Sequence, residues 1–427
     1  MASSERLYYS DSFLRHFTGV VTEVRERPDN GGGPRWQLSL DRTAFYPTSG
    51  GQPFDTGVLR ATHSGSPVRE VPVEQVEEDE EGAVWHCARQ PVDVGTPVEG
   101  RINWERRFDH MQQHTGQHLL SAVFQQELQA PTVSFHLGEE SSTIDLAVAP
   151  PSQACLERIE HIANEIIAED RPVSVHSVAR TEAEAMLAAG KLRKLPDREG
   201  SIRLIDIQEI DQNACGGTHV RSTGQIGGLQ VRRVEKVSRG VRAEFVCGLR
   251  AIRTARADAM TLTETAALLS TGANELPVAV GRLLADAKAG AKERQKLREE
   301  LAALQGAQLA AAEPIENGLR LAVRGWKDRD RDYVKMLASQ TVSATPGTAA
   351  IFSARETDPV RVFVARSQDL QFDCGRLLRE ALAQFGLRGG GSPSLAQGDV
   401  PADQEEALIA SLREALRGAI AGTGNLH

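Results

Sequence analysis

Apolar and polar residues alternate within short segments along the first 95 residues of the chain. An alternation with a period of two predicts half-buried β-strands, and turn-forming residues separate the segments. The clearest ones are VTEVRE at 21–26, RWQLSLDRT at 35–43, GVLRATH at 57–63 and VREVPVEQV at 68–76. The pattern predicts a small β-barrel or sandwich over residues 1–95, with the acidic run 77–81 at a solvated hairpin tip.

Beyond residue 95 helical and strand patterns mix. Apolar residues from Leu119 to Leu128 recur about every 3.6 positions, and residues 156–168 and 181–189 also have helical patterns. Strand patterns lie between them at 132–138, 141–148, 173–178 and 202–207. These elements predict a core of helices and strands over residues 96–254.

The segment 255–312 is rich in helix-forming residues and poor in aromatic ones. Apolar residues recur near a spacing of 3.5 with charges between them, at Val280, Leu283, Ala287, Leu297, Leu301 and Leu304. A continuous helix from 280 to 311 would be a rod of about 50 Å. We expect a helical spacer that could form a homodimer seam.

The last part of the chain, 313–427, returns to mixed elements. Buried-strand patterns at 319–325, 349–355 and 360–366 precede helical patterns at 372–385 and 402–420. A glycine-rich loop is predicted at 389–398. Its glycines Gly389, Gly390 and Gly391 are candidates for contact with a phosphate backbone, and a plain linker turn is the alternative. The predicted fold class is α+β.

Composition restricts the function classes. The chain has 427 residues, enough for two or three domains, and its apolar content of 40% and charged content of 25% are typical of globular proteins. The five cysteines are scattered, and no apolar run is long enough to span a bilayer. We expect a cytoplasmic protein without membrane contact. The net charge of −9 means that a nucleic acid would need a local basic patch.

Three histidines lie four residues apart at His110, His114 and His118. Residues at i and i+4 share one helix face, so two neighbouring imidazoles can bind one ion. A second pair with this spacing is Cys215 and His219 in CGGTH. Two histidines, a thiolate and a third histidine are the ligand set that zinc prefers, and we predict one Zn2+ per chain. Spacing alone does not decide whether His110 or His118 pairs with His114, and a single buried histidine or cysteine is commonly structural.

Two further segments are candidates for ligand contact. Gly50, Gly51 and Gln52 would expose backbone amides and a side-chain amide, although an ordinary tight turn would give the same sequence. A basic stretch from 221 to 256 includes Arg232, Arg233 and Lys236, and within it Glu235 and Glu244 are the acidic residues. Such an excess suits a phosphate backbone, and a solvated protein face is the alternative.

The assembled motifs resemble the editing region of alanyl-tRNA synthetases. The resemblance rests on four segments: HTGQHLL at 114–120, CGGTH at 215–219, LDRTAFYPTSGGQ at 40–52, and the glycine-rich segment 389–398, which resembles a DHH-associated domain. They cover nearly the whole chain in the family's order. The resemblance assigns the metal pair to His114 and His118. It divides the chain into a barrel-like domain 1–95, an editing core 96–254, a spacer 255–312 and a C-terminal domain 313–427.

The resemblance also implies an activity. No synthetase catalytic domain is recognisable, so we expect a free-standing editing protein of the long AlaX type. Such proteins hydrolyse mischarged tRNA-Ala, chiefly seryl and in some members glycyl esters. Thr132 and Ser134 are then candidates for binding the serine hydroxyl. Phe135 stands on this strand where synthetases often carry glutamine. Beyond the metal residues no catalytic residue is identified.

Two other functions remain as alternatives. A zinc-stabilised tRNA-binding module without catalysis would need the same ligand set, because closed four-ligand sites are commonly structural. A metal-dependent phosphoesterase would need an aspartate-rich cluster, and no Asp-His-His run occurs in the sequence. A homodimer through the spacer or the C-terminal domain is a further expectation.

Overall fold

The computed structural model describes residues 4–27, 33, 35–62, 68–190, 192–193, 195–196 and 200–421. The chain divides into two compact units, residues 1–264 and 265–427. Sheets and helices are present in both units, which confirms the predicted α+β class. None of the helices within these described ranges is long and apolar enough to cross a membrane.

The first unit begins with a curled antiparallel sheet. The strands of this region are β1 (Glu5–Arg6), β2 (His16–Glu26), β3 (Trp36–Leu40), β4 (Arg42–Thr43), β5 (Gly57–Ala61), β6 (Arg69–Val73), β7 (Gln75–Glu78), β8 (Val84–Ala88) and β9 (Pro97–Ile102). Strands β1 and β4 form a separate parallel pair. The main sheet has the order β6-β5-β9-β2-β3-β8-β7. Strand β2 pairs with β9 through its first half and with β3 through its second, so the sheet bends there around a buried apolar core. The curled sheet and its β7–β8 hairpin are present, but β9 lies beyond residue 95, and the domain bounds 1–95 stay a prediction.

Helix α1 (Trp104–Leu128) runs through the centre of the next region. Asn103 caps its first turn by accepting a hydrogen bond from the Arg106 backbone N–H. The helix is buried from Met111 to Phe124 on all sides, so it is a core helix and not an amphipathic surface helix. Its apolar residues pack with the surrounding strands in one core cluster.

The elements around α1 form two antiparallel sheets and flanking helices. They are β10 (Thr132–Leu137), β11 (Ser142–Leu146), α2 (Gln153–Ala168), β12 (Val173–Val178), α3 (Arg180–Ala188), β13 (Ile202–Ile207), β14 (Asp211–Ala214), β15 (Leu229–Val237), β16 (Gly240–Cys247) and α4 (Gly248–Leu268). The sheet orders are β10-β11-β16-β15 and β12-β13-β14. The predicted boundary at residue 255 falls inside α4, and the division into four regions stays a prediction.

A buried ion pair fastens α1 to the curled sheet. The Arg107 and Asp55 side chains are both fully buried. The Arg107 guanidinium donates to the Asp55 carboxylate and to the Ser12 and Ala44 carbonyl oxygens at 2.9 and 2.5 Å. Asp55 also accepts from the Tyr46 backbone N–H at 2.6 Å. The pair therefore fixes the loop 44–55 against the first turns of α1.

The second unit holds the long helix and a mixed sheet. Its elements are α5 (Leu276–Ala312), β17 (Arg320–Trp326), α6 (Arg331–Ala344), β18 (Thr348–Ala354), β19 (Val360–Arg366), α7 (Cys374–Ala383), β20 (Gly389–Gly391), β21 (Leu395–Val400) and α8 (Glu405–Ala421). The sheet order is β17-β18-β19-β21-β20. Helix α5 is continuous over 37 residues, about 55 Å, and it packs on α6 near its end, where Ala302, Gly306 and Ala310 are buried. Many of its other apolar residues are exposed, and the homodimer stays a prediction.

The glycine-rich segment 389–398 is not the loop that the sequence predicts. Gly389–Gly391 form edge strand β20, which pairs with Ala396–Gly398 of β21. A Cβ on Gly389 or Gly398 would lie 2.4 Å from the Leu382 Cδ1 atom of α7. These glycines therefore allow α7 to pack closely on the hairpin. Contact of Gly389, Gly390 and Gly391 with tRNA stays a prediction.

The buried ion pair yields a stability prediction. Arg107→Met should lower the free energy of unfolding by about 3–5 kcal/mol, because Asp55 would remain buried without its counter-ion. The measurement is chemical denaturation of the full chain. Arg158→Met is the control, since Arg158 is 70% exposed beside Glu127 and should change stability by less than about 1 kcal/mol. Equal losses in the two variants would contradict the prediction.

Candidate metal centre

Two segments about a hundred residues apart meet at one point. One ligand atom from each of His114, His118, Cys215 and His219 lies within 4.8 Å of the others. The Cys215 Sγ atom is 3.5 Å from His114 Nε2 and 3.4 Å from His219 Nε2. His110 is not part of this group.

Local structure explains how the two segments approach. Helix α1 presents His114 and His118 one turn apart, and the CGGTH segment follows directly after β14. The Arg203 guanidinium on β13 donates to the Cys215 and Gly217 carbonyl oxygens at 2.7 and 2.9 Å. A Cβ on Gly217 would lie 2.2 Å from His114 Cε1, so any larger residue would push the segment away from the helix.

Each imidazole has its Nδ1 atom bound by a neighbouring side chain. His114 Nδ1 is 2.8 Å from Gln52 Oε1, His118 Nδ1 is 3.3 Å from Asp211 Oδ2, and His219 Nδ1 is 3.1 Å from Thr115 Oγ1. Such partners fix the ring orientation and leave Nε2 for a metal, as the outer groups of zinc sites do. The Gln52 amide also accepts from the Thr218 backbone N–H and donates to Thr218 Oγ1.

The donor set fits a tetrahedral ion. With Zn–N bonds of 2.0–2.1 Å and Zn–S bonds of 2.3 Å, neighbouring ligand atoms are about 3.3–3.6 Å apart. The two measured Sγ–Nε2 distances, 3.5 and 3.4 Å, agree with that range. The cluster is consistent with a metal site such as zinc.

The pKa shifts of Cys215, His219 and His118 indicate which protonation states the cluster favours. Burial by itself raises the pKa of the Cys215 thiol, but the adjacent His114 and His219 imidazoles outweigh that effect and bring the pKa well below its ordinary value. Burial, together with His114, lowers the pKa of His219 to about 3. Burial disfavours the charged form of His118 as well, but the hydrogen bond to Asp211 dominates with other contacts and raises its pKa to about 9. Metal binding requires a thiolate and neutral imidazoles, which Cys215 and His219 provide, whereas His118 would release its proton when it binds the ion.

Thr132 and Ser134, the two predicted hydroxyl-binding residues, have different surroundings in the structure. A register shift between Thr132 and Ser134 interrupts the alternation of β10. Ser134 is exposed and donates to Asp145 Oδ2 at 2.8 Å, whereas Thr132 donates to Ser121 Oγ of α1 at 2.8 Å. Thr132 thus contacts the helix that carries two of the histidines, and Ser134 lies in an exposed polar network.

Phe135 and the double glycine pack beside the metal cluster. The Phe135 ring centroid is 5.8 Å from that of His114, and a Cβ on Gly51 would lie 2.6 Å from the Phe135 ring. Gly50 and Gly51 have φ values of 55° and 80°, which glycine adopts readily. The segment is a tight turn that also delivers the buried Gln52 amide to His114.

The basic stretch is more neutralised than its sequence indicates. Arg232 pairs with Asp258, and Arg233 lies near Glu235 and Glu244. Acids from distant segments pair with three more of its arginines: Asp145 with Arg242, Asp109 with Arg250, and Asp11 with Arg221. Lys236 and Arg239 are exposed. The sequence does not reveal these opposing acids, because Asp145, Asp109 and Asp11 are remote in sequence from the basic stretch. Contact of Arg232, Arg233 and Lys236 with tRNA stays a prediction.

Sequence reasoning missed several supporting residues. Thr115 lies inside the HTGQH segment, so its place on the helix beside His114 offered a signal. The sequence around Asp211 and Arg203 gave no such signal. Their contacts with His118 and Cys215 follow from the pairing of strands β13 and β14. His110, which spacing alone left as a candidate ligand, is buried outside the cluster. Its Nδ1 has no hydrogen-bond partner among the described residues, and burial, together with the neighbouring arginines, lowers its pKa to about 3.

Three family descriptions match parts of the chain. Residues 202–242 match the Threonyl and Alanyl tRNA synthetase second additional domain, which includes the CGGTH segment. Residues 1–106 match tRNA synthetases class II (A), and residues 318–418 match the DHHA1 domain. The matches follow the order that the sequence motifs indicate.

Curated relatives match nearly the full chain. Alanyl-tRNA editing protein AlaX-L of Pyrococcus horikoshii is 29% identical, covering 96% of this chain and 98% of its own length. Alanine–tRNA ligase of Pyrobaculum neutrophilum is 32% identical over 98% of this chain, which spans 44% of the ligase. The C-Ala domain structure from Aquifex aeolicus alanyl-tRNA synthetase aligns with 23% of this chain and 89% of its own, with 21% identity and a TM-score of 0.21.

The bond between Gln52 and His114 yields a metal-affinity prediction. Gln52→Ala should weaken zinc binding by about 10–100-fold, because the His114 ring would lose the partner that orients it. Competition against a chromophoric chelator measures this affinity. Gln75→Ala is the control, since the Gln75 amide contacts Glu77 on the curled sheet. Unchanged zinc affinity in Gln52→Ala would contradict the assigned role.

Proposed function

The chain is an AlaX-L-like protein, homologous to alanyl-tRNA editing proteins and to the editing region of alanine–tRNA ligases, and we propose that it hydrolyses the ester of mischarged tRNA-Ala. The observation that carries the proposal is the His114, His118, Cys215 and His219 cluster on segments that resemble the family's motifs. The proposed substrates are Ser-tRNA-Ala and, as a second candidate, Gly-tRNA-Ala.

The proposed cofactor is one Zn2+ per chain. A bound zinc ion would polarise the ester carbonyl, activate water or anchor the substrate. Four protein ligands normally close a site, and this favours anchoring or ligand exchange over a permanent zinc-bound hydroxide. The supporting residues of the chain would hold the metal ligands in place: Gln52, Thr115 and Asp211 orient the imidazole rings, and Arg203 fixes the CGGTH segment.

The proposed partner is the tRNA itself. The exposed cations Lys236 and Arg239 lie in the β15–β16 hairpin region of the first unit. We place phosphate contacts there with Arg232 and Arg233, and a second set at the β20 edge of the C-terminal sheet. Replacing any one of these cations with a neutral residue should weaken binding of all tRNAs to a similar degree and reduce the salt dependence of binding.

A non-catalytic zinc-stabilised tRNA-binding module is the second candidate function. The specific observation in its favour is the closed set of four buried or half-buried protein ligands. In that case zinc removal would unfold the first unit, and the protein would bind tRNA without turnover.

Deacylation assays separate the two candidates. Purified protein should release serine from Ser-tRNA-Ala and spare Ala-tRNA-Ala, and a chelator should abolish the release. Cys215→Ala should lose both stoichiometric zinc and deacylation, because the thiolate is a ligand in the proposed site. Cys155→Ala, which changes a half-buried cysteine on α2, is the control and should retain both. Equal hydrolysis of both esters, or full zinc content in Cys215→Ala, would refute the assignment.

A further inference from the structure

The Gln117 amide on α1 is buried and only partly hydrogen-bonded. The residue is 5% exposed. Its Nε2 atom donates to Ser121 Oγ at 2.9 Å, while its Oε1 atom has no partner among the described residues. A buried amide oxygen without a donor is costly, so native proteins satisfy such atoms with water or a ligand.

Ser121, which accepts the hydrogen bond from the Gln117 amide, is buried as well. Ser121 is 1% exposed, and its Oγ atom receives the Gln117 amide and the Thr132 hydroxyl at 2.9 and 2.8 Å. Both lone pairs of Ser121 are then used. Because an amide can be turned over without changing its shape, Ser121 could instead donate to Gln117 Oε1. In that orientation the Nε2 atom would lose its bond to Ser121, so one polar atom of the Gln117 amide is unpaired in either case.

The sequence position of Gln117 puts it on the same helix as His114 and His118, two members of the metal cluster. Residues 110, 114, 117 and 121 recur at i, i+4, i+7 and i+11, which places them in one stripe of α1. Gln117 thus shares a helix face with His114 and directly precedes His118. Strand β10 borders this stripe, with Thr132 on Ser121 and Phe135 beside the His114 ring.

We infer that Gln117, positioned by Ser121 and Thr132, binds the side-chain hydroxyl of the aminoacyl group. The inference rests on the proposed deacylase function and names the specificity-determining residue of the same site. A hydroxyl can donate to Oε1 or accept from Nε2, so it satisfies the amide in either orientation. The methyl group of alanine would leave the amide unpaired, and sites built to bind a hydroxyl reject such analogues by about 10⁴-fold or more.

Gln117→Met tests the inference because methionine keeps the length of the side chain and removes the amide. We expect the ratio of kcat/KM for Ser-tRNA-Ala to that for Ala-tRNA-Ala to fall at least about 10-fold, chiefly through slower seryl hydrolysis. Hydrolysis of Gly-tRNA-Ala should change little, since glycine has no hydroxyl. Thr132→Val should also lower the ratio of the seryl to the alanyl kcat/KM.

Two further measurements isolate this role from a structural one. Binding of adenosine carrying a non-hydrolysable seryl amide should weaken in Gln117→Met, while binding of the alanyl amide should not. Zinc content and melting temperature should match the native protein. Gln112→Met is the matched control: Gln112 donates to the Gln225 carbonyl oxygen on a different face of α1, and its loss should leave the seryl to alanyl ratio unchanged.

The outcomes distinguish the two proposals. A native chain that discriminates seryl from alanyl esters, combined with a Gln117→Met variant that keeps the full ratio, would overturn the inference and leave the deacylase function standing. In that result the buried amide binds a structural water. A native chain that hydrolyses none of the three esters would overturn the deacylase function and the inference with it.

Discussion

The buried Arg107 guanidinium is the constraint on which the rest of the first unit depends. An arginine without solvent must have its charge balanced and its N–H groups bound, and the Asp55 carboxylate with two nearby carbonyl oxygens does this here. Satisfying the guanidinium fixes the loop that contains Tyr46 and Asp55 against α1. The same loop carries Gln52, so this electrostatic requirement places an amide against His114 of the candidate metal centre.

The metal cluster is consequently a joint product of three parts of the chain. Helix α1 supplies His114 and His118, the CGGTH segment supplies Cys215 and His219, and the curled sheet supplies Gln52 as a supporting group. None of these parts alone would hold the donor atoms at tetrahedral separations. A metal ion bound there would stabilise the folded unit by linkage, because the unfolded chain lacks the preformed site.

Acidic partners neutralise several arginines of the basic stretch 221–256. The basic stretch after the CGGTH segment meets Asp145, Asp109 and Asp258 in the folded unit, so much of its field is cancelled. The partly exposed pairs Arg242–Asp145 and Arg232–Asp258 contribute little stability, and the Arg250 side chain is buried beside Asp109. All three pairs limit where a polyanion can bind. The remaining exposed cations near Lys236 define a smaller patch, which is consistent with a chain of net charge −9.

The sequence by itself determined the α+β class, the strand and helix segments, and the i, i+4 spacing of the candidate ligands, because these follow from local periodicity and from the ligand chemistry of histidine and cysteine. That spacing did not decide between His110 and His118, and the structure groups His118 with the other three residues. The sequence also did not determine which acids oppose Arg232 and Arg242, or that a register shift in β10 points Ser134 away from Thr132. The glycine-rich segment from Gly389 was predicted as a loop because local propensity ignores the helix that packs on it. Only the tertiary structure decided these points, since each depends on residues that are distant in sequence and adjacent in space.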